Sequence, residues 1–207
     1  MRYIIIGVLT LFFLKLMAQP ADDHLTKLRQ EQSKYESFKC TIDIHVEVTD
    51  VDIPDKQIYI VLEKGQKPKI QSKGLLILPK KGLIGQFNEI IKGEYQAIKL
   101  YEKSDTLVYK IVSLDKKADW VTADIHFLKH NYQIYRMDIS TYEFGEFLIY
   151  YHYDINNILN STEIEFETSS NKIPLKFLGR SQKKTSKNTS GNSKGVIYLK
   201  YSDFELL

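Results

Sequence analysis

The sequence contains a single cysteine, Cys40, among 207 residues. One thiol cannot form a disulfide within the chain, which excludes the disulfide frameworks that hold small secreted modules together. Cys40 lies well past the apolar N-terminal run, whereas the cysteine of a lipoprotein follows such a run directly, so the sequence argues against a lipoprotein. Because free cysteine is among the most buried residue types, we expect Cys40 to be a small core residue.

Long apolar runs are equally scarce, and the only one lies at the N-terminus. Its apolar centre, from Tyr3 to Leu14, is shorter than the roughly 20 residues that a membrane-spanning helix needs. Arg2 precedes it and small or polar residues follow it, a pattern typical of a secretory signal peptide. We predict a signal peptide over residues 1–19, cleaved near Ala18 or Gln19, with an uncleaved membrane anchor as the alternative. Residues 20–207 then form a single domain, and export without disulfides favours the bacterial periplasm.

Neither sign of charge dominates the chain. The formal charge of +3 becomes +1 once Arg2 and Lys15 are removed with the signal peptide, which argues against a nucleic-acid partner. The basic residues are concentrated in the Ser, Asn and Gly-rich segment from about 180 to 195, which contains no acid. We predict a flexible loop there, which either contacts anionic lipid head groups or is simply solvated.

The motifs of common enzyme classes are missing too. The sequence has no glycine-rich phosphate loop, nucleophile elbow or zinc-protease helix motif. His126 and His130 have the spacing of metal ligands on a helix, but "DIHFLKH" reads as a strand running into a turn, where they would lie about 13 Å apart. Glu163 and Glu165 alternate with apolar residues on one solvated strand face. We therefore predict neither catalysis nor a metal or cofactor, with an uncharacterised hydrolase as the least favoured alternative.

Segments in which apolar and polar residues alternate, as in half-buried β-strands, are abundant. Residues 21–39 have the spacing of an amphipathic helix, and about ten strands of period two follow, joined by short polar turns. Only residues 83–92 return to helical spacing. So many strands exceed what one flat sheet with a single buried face accommodates. The expected fold is α+β, an antiparallel, strongly curved and unclosed β-barrel (a half-barrel) with short helices plugging its concave face.

The stretch "KGLLILPKKG", residues 73–82, is unusual because both faces of the strand it predicts are apolar. Leu75 and Ile77 lie on one face, and Leu76 and Leu78 on the other. A strand has this composition when it is covered on both sides. In a half-barrel, one face would meet the plug or a cavity and the other would meet outer packing.

These features together resemble the periplasmic outer-membrane lipoprotein carriers of the LolA and LolB type. The resemblance covers most of the mature chain: the N-terminal helix running into "YESFKCTIDIHVEV", then "GLLILPKKG", the plug-like "LIGQFNEII", the block "DIHFLKHNYQIYRMDISTYEFGEFLIYYHYD" and the closing "STEIEFE". One departure marks a divergent branch, of the Bacteroidetes type. In the carriers, a proline is followed by an arginine and an aromatic residue, whereas Pro79 is followed by Lys80, Lys81 and Gly82.

The resemblance implies a non-enzymatic periplasmic carrier or chaperone, which binds acyl chains of a lipoprotein or lipid in an apolar cavity and moves them towards the outer membrane. Its expected partners are those acyl chains and donor and acceptor proteins at the two membranes, and we expect a monomer. The alternative is an envelope protein-interaction module with a solid core. The candidate cavity residues are Ile58, Ile60, Leu62, Leu76, Leu78, Phe87, Ile90, Tyr109 and Ile111.

Overall fold

The structure is a computed structural model, and it describes residues 22–48, 52–72, 86–91, 93–142, 145–169 and 192–207. Several predictions concern segments outside these ranges: the signal peptide over residues 1–19, the double-faced strand with Leu76 and Leu78, and the basic loop. They stay predictions. None of the helices in the described ranges combines the length and the apolar character needed to cross a membrane.

The N-terminal helix α1 spans Asp23–Ser33 and continues as a short 3₁₀ turn at Lys34–Glu36, close to the predicted helix. Asp22 caps its start, because the carboxylate accepts hydrogen bonds from the backbone N–H groups of His24 and Leu25 at 2.9 and 3.3 Å. Leu28 and Gln32, one turn apart, are its buried residues. The helix therefore presents a narrow face to the core.

Within the described residues, ten strands form one antiparallel sheet. Their bounds are β1 Phe38–Val48, β2 Lys56–Leu62, β3 Lys69–Ser72, β4 Tyr95–Lys103, β5 Thr106–Ser113, β6 Trp120–Leu128, β7 Ile134–Thr141, β8 Gly145–Tyr153, β9 Leu159–Ser169 and β10 Asn192–Leu206. A second short helix, α2 at Gln86–Ile90, lies between β3 and β4 in the sequence, as its spacing predicts.

The strand order is β3-β2-β1-β10-β9-β8-β7-β6-β5-β4. Among the ten described strands, only the β1–β10 pairing joins strands that are distant in the sequence. It is extensive, running from Phe38 opposite Leu206 to Val48 opposite Gly195. The edges β3 and β4 are not paired with each other, so the sheet does not close into a barrel. This confirms the predicted α+β half-barrel.

Connections of only two to six residues join the consecutive strands β4 to β9. In the β8–β9 turn, the Asp154 carboxylate accepts hydrogen bonds from the backbone N–H groups of Asn156 and Ile158, both at 2.8 Å. Asn157 adopts a positive φ of 60° there, a conformation that asparagine tolerates better than most residues. Short turns of this kind explain why spatial order follows sequence order over this part of the sheet.

Candidate functional site

The concave face of the sheet is a continuous apolar surface. The strand register places the inward side chains in rows, and one row runs from Val46 on β1 through β10, β9, β8 and β7 to Ile125 on β6. The members of this row are Val46, Ile197, Ile164, Ile149, Met137 and Ile125. The opposite face carries mainly polar side chains, such as Asp43, Lys200 and Glu163. The face with the apolar rows is therefore the one that faces the helices.

The part of this face nearest α1 is tightly packed, and we call it the helix-side patch. Its side chains are almost completely excluded from solvent, with exposed fractions of 0 to 1%. It consists of Phe38, Cys40, Ile42, Leu107, Tyr109, Ile125, Phe127 and Met137. The rings of Tyr109 and Phe127 stack with centroids 5.8 Å apart, and Tyr132 stacks on Phe127 at 5.9 Å. Leu28 of α1 belongs to the same core cluster.

Polar contacts fix α1 over the helix-side patch. The Tyr109 hydroxyl donates a hydrogen bond to the Asp22 carboxylate at 2.8 Å, so the capping residue also ties the helix to β5. His24 Nδ1 and the Tyr132 hydroxyl lie 3.1 Å apart, and Gln32 donates to the Tyr132 carbonyl at 3.2 Å. Arg29 contacts the Tyr95 hydroxyl on β4. These bonds hold the helix against the β4–β7 side of the sheet.

Helix α2 packs against α1 on the concave side of the sheet. Phe87 and Ile90 are buried in the same core cluster as the concave face. Asn88, which is also buried, donates a hydrogen bond to the Gln32 carbonyl at 3.3 Å. A buried amide stabilises only when it has a partner, so this bond fixes the orientation of α2 relative to α1. The two helices therefore form one unit on the concave side.

A second part of the concave face, the distal patch, lies at the other end of strands β1 and β7–β10. It consists of Val46, Val48, Ile139, Phe147, Ile164, Phe166 and Ile197. Five of these side chains keep 6 to 9% of their surface exposed, and Phe147 and Ile197 are only partly buried. Tyr35, in the 3₁₀ turn that follows α1, donates a hydrogen bond to the Asn157 carbonyl in the β8–β9 turn. The N-terminal helical segment therefore ends at the opposite end of these strands from the distal patch.

One contact in the distal patch requires glycine. The distal end of the Phe166 ring lies against Gly195, which pairs with Phe166 across β9 and β10. A Cβ atom at position 195 would lie 2.4 Å from Phe166 Cζ, far inside van der Waals contact. Gly195 therefore lets the ring approach the backbone of β10.

Titratable groups inside the concave side are held neutral by burial. Burial raises the pKa of the Cys40 thiol to about 12, so the thiol stays protonated at neutral pH. It raises the pKa of Tyr35 to about 12 as well, with Glu31 and Asp154 adding to the effect. The Tyr201 hydroxyl lies 3.1 Å from Thr162 Oγ1 and its pKa is also raised by burial. These three buried side chains are therefore uncharged at neutral pH.

The structure places the described candidate residues on the concave side. Ile58, Ile60, Tyr109 and Ile111 are buried on the inward face of β2 and β5, and Leu62 packs against the same cluster while partly exposed. Phe87 and Ile90 meet them from α2, while Leu76 and Leu78 lie outside the described residues. Their role in binding stays a prediction. None of the candidate cavity residues belongs to the distal patch, although the alternation in "STEIEFE" and "GVIYLKY" indicates inward side chains there.

The residues considered for catalysis or metal binding point elsewhere. His126 lies on β6 and His130 in the following turn, where its Nδ1 contacts Asp105. Glu163 and Glu165 lie on the outward face of β9, opposite Tyr198 and Val196. Within the described ranges, no group of three or more His, Cys, Asp or Glu side chains is arranged to hold a metal ion.

No protein-family model matches the sequence, and no curated protein does. Solved structures match the fold. A LolA superfamily protein from Nitrosomonas europaea superposes with a TM-score of 0.54 at 13% identity, covering 90% of this chain and 94% of that one. A DUF1329 family protein from Desulfovibrio piger ATCC 29098 gives 0.52 at 7% identity, covering 91% and 94%. The chain therefore has a LolA-like fold, as the resemblance of its sequence implies.

Proposed function

We propose that this chain is a non-enzymatic periplasmic carrier that shelters the acyl part of a lipoprotein or lipid against its concave face and moves it towards the outer membrane. The observation that carries the proposal is the row of uncharged, apolar side chains that crosses the concave face, with a less covered patch at its distal end. Donor and acceptor proteins at the two membranes are part of the proposal. The lipoprotein cargo rests on the resemblance of the sequence, because a shared fold alone does not define a function.

The physical basis of binding is the removal of methylene groups from water. Each buried methylene contributes about 0.8 kcal/mol, so a dozen sheltered methylenes would contribute roughly 10 kcal/mol before the costs of ordering the chain. Such binding needs no catalytic residue and no charge in the cavity. The distal patch suits this role because its side chains are apolar and incompletely covered. An acyl chain that lay across Phe147, Ile164 and Ile197 would complete their burial.

A matched pair of variants on β10 tests the proposal. Ile197 faces the concave side and its neighbour Val196 faces outwards between Glu47 and Glu165. Ile197→Lys puts a charge on the proposed acyl path, whereas Val196→Lys puts the same charge beside two carboxylates. We expect binding of a fluorescent fatty acid, measured by titration, to weaken about a hundredfold in Ile197→Lys and to change little in Val196→Lys.

Ile197→Ser provides a milder version of the same change, in case the lysine unfolds the domain. Circular dichroism identifies folded variants before titration. Equal binding by wild type and both Ile197 variants would contradict an acyl site at the distal patch. No binding of any acyl probe by the folded wild type would contradict the carrier function itself.

The second candidate function is a protein-interaction module with a solid core. The dense packing of the helix-side patch favours it, because its side chains are almost completely excluded from solvent and the Phe127 ring stacks with both Tyr109 and Tyr132. If the whole concave side were packed in this way, the protein would take up no acyl probe, and its function would depend on its outer surface.

A further inference from the structure

A groove lined by apolar surface and by many polar side chains crosses the outer face of the sheet, on the side opposite the proposed acyl site. Its volume is about 600 Å³, inside the range of roughly 300 to 1,000 Å³ typical of small-molecule sites. Its lining residues come from β1, β2, β8, β9 and β10, together with Asp55 just before β2. The groove is therefore formed by the sheet itself and not by a loop.

The floor of the groove follows from the strand register. One outward row runs from Gln57 on β2 through Asp43, Lys200 and Ser161 to His152 on β8. Ser161 is the shortest member of this row, and it lies between the long side chains of Lys200 and His152. A short side chain between two long ones leaves a depression in a sheet surface, since neighbouring side chains on one face stand side by side.

An aromatic wall borders this depression. His45 on β1 pairs with Tyr198 on β10, and the two rings stack with centroids 6.0 Å apart and planes 26° from parallel. Tyr198 is exposed, so its ring is accessible from the groove. Two carboxylates hold the His45 ring in place: Asp55 lies 2.6 Å from Nδ1 and Glu47 lies 3.2 Å from Nε2. The wall is thus organised before any ligand binds.

The charges that line the groove nearly cancel. Asp43, Asp55 and Glu163 contribute three carboxylates, and Lys56 and Lys200 contribute two ammonium groups. The hydrogen bonds of His45 to Asp55 and then to Glu47 raise its pKa, which favours its positively charged form. A strongly charged ligand would therefore gain little from the groove as a whole. The lining nevertheless offers many separate hydrogen-bond donors and acceptors.

Some of these polar groups are already oriented. Gln57 donates a hydrogen bond to Asp43 Oδ1 at 2.7 Å, which fixes the carboxylate at the edge of the groove. Carboxylates only accept, ammonium groups only donate, and the amides and hydroxyls of Gln57, Asn160 and Ser161 do both. An accessible aromatic face beside mixed donors and acceptors matches a ligand that is apolar on one face and rich in hydroxyl groups at its edge.

We infer that this outer-face groove binds an uncharged oligosaccharide, with a sugar ring against Tyr198 and its hydroxyl groups bonded to the row that contains Asp43, Ser161 and His152. A pyranose ring presents C–H groups on its face and hydroxyls that both donate and accept at its edge. The site lies on the other face of the sheet from the acyl site. The proposed oligosaccharide site does not depend on the carrier function, so evidence against acyl binding would leave this inference unchanged.

The test uses the whole chain and two uncharged probes, chitotetraose and maltotetraose, in titration calorimetry and NMR. We expect at least one of them to bind with a dissociation constant of about 1 mM or lower. Ser161→Trp fills the depression, and Tyr198→Ala removes the accessible ring, so each should weaken binding at least about tenfold. Ser140→Trp is the matched control, because Ser140 lies on the outward face of β7 and does not line the groove.

Three outcomes would overturn the inference. The first is that neither sugar shifts any resonance at a concentration of about 10 mM. The second is that Ser161→Trp and Tyr198→Ala bind the sugars as the wild type does while remaining folded. The third is that only a charged peptide, such as an oligolysine, binds and loses its affinity in these variants, which would assign the groove to a protein partner.

Discussion

The helix-side patch and the distal patch lie on the same concave face and are built from the same kinds of side chain, yet they differ in how they are covered. Phe127 and Met137, in the helix-side patch, are fully excluded from solvent. Ile164 and Phe166 keep 6 and 7% of their surface exposed, and Phe147 is only partly buried. Apolar composition alone therefore does not distinguish the two patches, whereas the exposed fraction of their side chains does.

The largest expected difference between the patches is in cysteine labelling. Cys40 is fully buried in the helix-side patch, and burial keeps its thiol protonated, so we expect it to react with a thiol reagent only when the domain opens. The variant Cys40→Ala/Ile197→Cys moves the single cysteine to the distal patch. Its labelling at pH 8, followed by absorbance, should be about a thousandfold faster than that of Cys40 in the wild type. Equal rates would mean that the two patches are equally covered.

Truncating one phenylalanine in each patch gives the next largest difference. Phe127→Ala removes a fully buried ring that stacks on both sides and should lower the free energy of unfolding by about 3–5 kcal/mol. Phe147→Ala removes a partly buried ring and should cost about 1–2 kcal/mol. Urea denaturation followed by circular dichroism measures both. A cost at Phe147 as large as that at Phe127 would indicate that the distal patch is ordinary core.

A smaller effect is expected for Tyr109→Phe, which keeps the ring and removes the hydrogen bond to Asp22. Asp22 retains its bonds to the first turn of α1, so the loss should be about 1 kcal/mol in the free energy of unfolding. Tyr142→Phe, at an exposed position, is the control and should change nothing. If Tyr109→Phe also had no effect, this bond would not hold α1 on the helix-side patch.

The smallest effect is expected for His24→Ala. His24 contacts the Tyr132 hydroxyl at 3.1 Å in a partly exposed position, so its loss should cost roughly 0.5 kcal/mol. The double variant His24→Ala/Tyr109→Phe shows whether the two contacts stabilise the position of α1 independently or cooperatively. Additive losses indicate that the two bonds act independently, whereas a larger combined loss indicates that α1 detaches as a unit.

Local pattern was sufficient for much of this fold. The alternation of Ile42, Ile44, Val46 and Val48 predicted one buried face of β1, and all four are buried. The short polar turns predicted sequential antiparallel pairing, and the spacing around Phe87 predicted α2. In each case neighbouring residues carry the information, because strand and helix periods are properties of a few consecutive residues.

The candidate site depends on contacts that no local pattern contains. Alternation shows that a strand has two faces but not which face is concave, and that choice follows from the pairing of β1 with β10 and from the position of α1. Phe147 on β8 and Ile197 on β10 belong to the same patch only because β9 lies between these two strands and pairs with both. The outer groove is still less visible in the sequence, because its lining residues come from β1, β2, β8, β9 and β10, which are distant in the sequence.

The most direct test of the central claim is native mass spectrometry of the chain purified without detergent from the cells that make it, repeated after organic extraction. The carrier function predicts an adduct with the mass of a lipid or an acylated peptide, which extraction removes and an added acyl probe replaces. A single mass equal to that of the bare polypeptide, unchanged when acyl probes are added, would contradict it.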